Sequence, residues 1–180
     1  MEFEKALLTP ELWFQKSWQL FESSKVLYES LVKVPSVGDF DERALYRKVG
    51  SMNSSMLLMG LSVENALKGF HISQTLPDIS NGKISPKHFV GNGKSHELIK
   101  IAKHIGFQLS PEQKLLLERL THFVSWAAKY NSALDKNTHD SAKGNLLLKS
   151  PTDFVIAENL IKKLQNQAGY DENKGWPVLR

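Results

Sequence analysis

The chain has 180 residues, 41% of them apolar and 23% charged, which suits one globular domain with a buried core. It contains no cysteine, so disulfides, zinc ribbons and thiol nucleophiles are excluded. A formal charge of +4 permits a polyanionic partner without requiring one, since nucleic-acid binders usually concentrate their charge on one face.

Glu2 and Glu4 precede any apolar stretch, unlike a secretory signal. The longest apolar run, residues 56–61, is far short of the roughly 20 residues that span a bilayer. A cytoplasmic protein without membrane association is expected. The first predicted helix covers residues 10–31 and carries a broad apolar surface that includes Trp13, Phe14, Trp18, Leu20, Phe21 and Leu27. Its start signal, Thr9-Pro10, recurs at Ser110-Pro111 and Ser150-Pro151. In each, the hydroxyl can cap free N–H groups of the first turn, and proline loses no hydrogen bond there.

A second helix over residues 41–71 is predicted by Leu45, Val49, Met52, Met56, Met59, Val63, Leu67 and Phe70, which recur at intervals of three and four. Gly50, Gly60 and Gly69 interrupt it, each weakening a helix by about 1 kcal/mol relative to alanine, so close packing or a kink is expected there. A short helix follows over residues 95–105, ended by Gly106. Residues 111–130 form the next, opened by a Ser110/Gln113 capping box, and residues 151–168 the last, closed by Gly169. No stretch alternates, so no strand is predicted, and residues 77–94 and 131–149 are long connections. The expected architecture is all-α: a single domain over residues 1–180, built as a four- to five-helix bundle with a long central helix. Its core covers about residues 10–168, and residues 169–180 form a tail.

Two apparent motifs fail on their own requirements. Gly91-Asn92-Gly93-Lys94-Ser95 lacks the first glycine of a phosphate loop, where His88 stands, and lacks a preceding strand. His96-Glu97 lacks the second histidine of a zinc-protease helix, where Lys100 stands. No metal or cofactor is expected.

Two polar rows remain. Beside the central stripe, Leu57, Leu61, Glu64, Lys68 and His71 turn from apolar to polar. Glu64 and Lys68 are either an ion pair at the core edge or residues facing a groove. Further on, Leu115, Arg119, His122, Trp126 and Lys129 form one row. Its cations and indole could engage phosphate and stack on a base, or the row could simply edge the bundle.

The stretch Ser62-Val63-Glu64-Asn65-Ala66-Leu67-Lys68-Gly69-Phe70, then Ser95-His96-Glu97-Leu98, then Trp126-Ala127-Ala128-Lys129-Tyr130, resembles the HEPN superfamily over about residues 41–168. Members are small helical bundles with a glutamate and a lysine four apart on a long helix. A histidine-acid-leucine step opens a short helix, and many have an arginine-tyrosine-proline motif after a further helix. The matching positions are Glu64, Lys68, His96, Leu98 and Tyr130. The resemblance implies a toxin–antitoxin or phage-defence setting, a nucleotidyltransferase partner, RNA as substrate or ligand, and a homodimer. The aromatic surface of the first helix suits the dimer.

The R-x-x-x-x-H motif of active ribonuclease members is absent. The residues five beyond Arg43, Arg47 and Arg119 are Lys48, Met52 and Val124, and Arg180 is the last residue. Arginine-tyrosine-proline becomes Lys129-Tyr130-Asn131, which keeps the charge but loses the bidentate fork that suits phosphate. The function expected is therefore non-catalytic binding of a nucleotide, RNA or a partner protein. Its candidate residues are Glu64, Lys68, His96, Arg119, His122, Trp126, Lys129 and Tyr130. The alternatives are a diverged ribonuclease using His96 or His122 as acid–base group, and a structural or oligomerising module.

Overall fold

A computed structural model describes residues 2–33, 41–91 and 96–177. The chain is 68% helical, with almost no strand. The helices are α1 (Phe3–Leu8), α2 (Pro10–Lys33), α3 (Glu42–Gln74), α4 (Lys87–Val90), α5 (Leu98–His104), α6 (Pro111–His122), α7 (Lys136–Ser141) and α8 (Thr152–Gln167). One buried apolar cluster draws on α2, α3, α4, α5, α6 and α8, from Phe14 to Leu164. Among the described residues, no helix is long and apolar enough to cross a membrane.

Helices α2 and α3 are clasped antiparallel by two serine pairs. Ser17 Oγ donates to the Ser62 carbonyl at 2.8 Å and Ser62 Oγ to the Ser17 carbonyl at 2.7 Å. Two turns away, Ser24 Oγ donates to the Ser55 carbonyl at 2.7 Å and Ser55 Oγ returns the bond at 2.9 Å. All four serines are fully buried. Their small side chains let the backbones approach, and the reciprocal bonds satisfy hydroxyls that would otherwise be stranded away from water. Gly69, seven residues beyond Ser62, continues the approach: a Cβ there would stand 2.8 Å from the Cβ of Trp13.

Gly60 plays the same part on another face, where a Cβ would collide with the Val124 side chain. Gly50 has nothing within 4 Å of where a Cβ would sit. The two positions should respond oppositely. Gly50→Ala should raise stability by up to about 1 kcal/mol through helix propensity alone, whereas Gly60→Ala should lower it. Urea midpoints that move in the same direction would contradict this packing.

Several expectations need correction. Residues 77–94 hold a two-stranded ribbon, β1 (Ile79–Ser80) and β2 (Lys83–Ile84), with Ile79 opposite Ile84. The turn is Asn81-Gly82, both at positive φ, which is the dipeptide that suits a two-residue hairpin. Residues 131–149 contain α7, capped by Asp135, whose side chain accepts from the Thr138 N–H. Helix α5 begins at Leu98, and the predicted start at Ser95 lies outside the described residues. Only the Ser110 cap forms as expected, with its full capping box. Thr9 instead donates to the Lys5 carbonyl at the end of α1. Ser150 makes no cap bond, and α8 is entered through Asp153, which accepts the Lys149 N–H at 2.7 Å.

The core also extends past residue 168. Residues 170–176 turn back, and Trp176 packs on Phe14 with ring centroids 5.4 Å apart. The central stripe is buried from Met56 to Leu67 and partly buried at Phe70, but Leu45 and Val49 are 44% and 46% exposed.

Candidate functional site

Glu64 lies at the middle of the polar row on α3 and is only 4% exposed. A carboxylate withdrawn this far from water needs partners for both oxygens. Lys68, one turn along the same helix, supplies the first: its Nζ is 2.6 Å from Oε1. His96 supplies the second, with Nδ1 2.9 Å from Oε2. The Lys68 ammonium also lies 5.4 Å from the centre of the Phe89 ring, a cation–π distance.

His96 is brought to α3 by the start of α5. The Leu98 N–H donates to Thr121 Oγ1 on α6 at 3.2 Å, and the Leu98 side chain is fully buried. These two anchors set the chain just ahead of α5 against Glu64. The imidazole is thus oriented by a buried carboxylate while 44% of its side chain stays in solvent. Since the carboxylate can only accept, Nδ1 donates to Glu64, which leaves Nε2 of the neutral ring as the acceptor.

The other candidates do not join this cluster. Arg119 is buried and ion-paired with Asp153 at the start of α8. Trp126 is also buried, its ring 5.5 Å from that of His139 on α7. His122 is half-buried; burial holds its pKa below the ordinary histidine value, and Glu118 one turn back opposes the shift. Lys129 and Tyr130 are exposed, with the lysine 5.8 Å from the Tyr130 ring centre. The predicted row is broken because α6 passes into a π-helical turn, Phe123–Ala127, whose wider turn changes the facing of everything after it. Asp153 and His139 then cover the middle of the row.

Phe89, Thr121 and Asp153 are partners that helical spacing could not reveal, because each comes from a distant segment. A cleft of about 380 Å3 between the start of α2, the end of α3 and the C-terminal segment is lined by Pro10, Ile72, Gln74, Trp176 and Pro177. It takes in none of the candidate residues.

The fold defines the chain as an all-α helical bundle. No protein-family model, curated protein or solved structure matches it.

Proposed function

We propose that this is a non-catalytic, HEPN-like domain that binds RNA or a nucleotide through phosphate, with Glu64, Lys68 and His96 at the centre of the binding face. The observation that carries the reading is the meeting of these three side chains around one buried carboxylate. The arrangement joins a lysine paired to Glu64 with an oriented, half-exposed imidazole, whose protonated form suits an anionic ligand. The lack of an R-x-x-x-x-H motif favours binding over cleavage. Exposed Lys129 and Tyr130 supply a further cation and an aromatic face for a base. The setting that fits is prokaryotic defence or a toxin–antitoxin pair in the cytoplasm, with a nucleotidyltransferase as partner protein.

A homodimer belongs to the same reading. The aromatics of α2 do not support it, since Phe14 and Phe21 are fully buried and Trp13 and Trp18 pack on the core. Its support lies in Leu45 and Val49, apolar residues left exposed on α3.

The second reading, a structural or oligomerising module, is favoured by one feature. Both oxygens of Glu64 are already satisfied within the chain, as in a tie between helices. Replacing Lys68 and Lys129 together with alanine separates the two. A binding face should lose salt-sensitive affinity for RNA or nucleotide while the fold persists. A structural tie should lower the denaturation midpoint with no ligand effect. Wild-type protein that binds neither RNA nor nucleotide at low salt overturns the binding reading. Light scattering that gives only the 20.4 kDa monomer removes the dimer.

A further inference from the structure

Three of the six histidines gather where α3 and α5 end against α4. His71 lies near the end of α3, His88 in α4 and His104 at the last position of α5. The His71 ring centre is 4.5 Å from that of His88 and 5.6 Å from that of His104. Nε2 of His104 is 3.0 Å from the His88 carbonyl oxygen and so carries the proton that it donates there. Nε2 of His88 is enclosed and has no hydrogen-bond partner among the described residues. Packing is close, since a Cβ on Gly91 would stand 2.9 Å from Nδ1 of His104. Yet among the described residues no group of three side chains is arranged to hold a metal ion. The cluster therefore needs another explanation.

Neutral imidazoles can stack at these distances without penalty. Protonated ones cannot, because each new charge is partly desolvated and lies beside another. The element best able to yield is α4, which is only four residues long and is held by buried Phe89 and Val90 as well as by the rings. Phe89 in turn packs on Trp13 of α2, with ring centres 5.5 Å apart, and receives Lys68 over its face.

We propose that His71 and His88, packed with the ring of His104, form a proton-operated latch: neutral, they close α4 onto the ends of α3 and α5; protonated, they release α4 together with Phe89. The titratable groups that bear on His71 are His88 from α4 and His104 from α5, and His104 also bears on His88. Lys68 lies over the Phe89 ring, and α2 brings the uncharged Trp13. No carboxylate forms an ion pair with any of the three among the described residues, so only backbone carbonyls offset the added charge.

Burial first, then the neighbouring imidazoles, holds the pKa values of His71 and His88 below the ordinary histidine value, against backbone hydrogen bonds that oppose the shift. The unfolded chain therefore takes up these protons at a higher pH than the folded one. The latch is fully closed above about pH 6.5, the unfolded histidine value, and opens as the pH falls through the lower folded values. It stands independently of the binding reading.

Hydrogen exchange read by mass spectrometry, corrected for the intrinsic pH dependence, tests it at about pH 7.5 and about pH 5. Residues 79–90 should lose protection several-fold in acid, while the middle of α3 and of α6 keep theirs. The variant carrying His71→Gln and His88→Gln should stay closed at both values. If that variant does not fold, His71→Gln alone must move the opening to lower pH. Equal protection at both values, simultaneous opening of all helices, or variants that open as the wild type does would each overturn the latch.

Discussion

Replacing Asp153 with alanine should lower the free energy of unfolding by about 3–5 kcal/mol, because it leaves a buried guanidinium without its partner. Asp153 is 1% and Arg119 8% exposed, so neither charge can turn to water for relief. The carboxylate does two jobs at once: one oxygen holds Arg119 and the other accepts the Lys149 N–H that opens α8. Burial pushes its carboxyl above the usual aspartate range, against the pull of that N–H and of Arg119. The pair therefore contributes less than the single substitution removes. Changing both residues together, Arg119→Met with Asp153→Leu, should recover most of the loss, since it strands no charge. Guanidinium denaturation would measure both. A single-variant change under about 1 kcal/mol would mean the pair is open to water.

The second large effect is expected in the centre of α3. Met56 and Leu67 are fully buried in the common core, and truncating either to alanine should remove about 2–5 kcal/mol by loss of transfer energy and creation of a cavity. Leu45 lies on the same helical stripe but is exposed, so Leu45→Ala should change stability by no more than about 0.5 kcal/mol. The contrast checks where the stripe stops being core. Similar losses at Leu45 and Met56 would place the boundary wrongly.

The long helices were legible in the sequence because apolar residues recur at three and four, and the capping box at Ser110 marks a start without ambiguity. The serine clasp was not. Ser17, Ser24, Ser55 and Ser62 count as polar in such a pattern, and only a spacing of seven shared by two helices hints at their burial. The hairpin carried its own signal in Asn81-Gly82, which a search for longer alternation passes over. For the site, the Glu64–Lys68 pair follows from helical spacing, whereas His96 reaches Glu64 from 32 positions away and was marked only by the resemblance. The predicted row failed because a π-helical turn re-faces the residues after it and because Arg119 takes a partner 34 residues distant. Neither has a local trace in the chain.

The two serine pairs have a mechanical consequence for α2 and α3. Side chains that merely fill space let one helix creep along another, since one apolar contact replaces the next. Here every hydroxyl is tied to a backbone carbonyl directly across from it, so axial slippage by a single residue breaks all four bonds. The next serine on that face of α3, Ser51, would come opposite Ser24 only after a slide of four residues, about 6 Å at the rise of an α-helix. The hairpin is keyed like a splined shaft: it can flex at its ends, but its register has one setting.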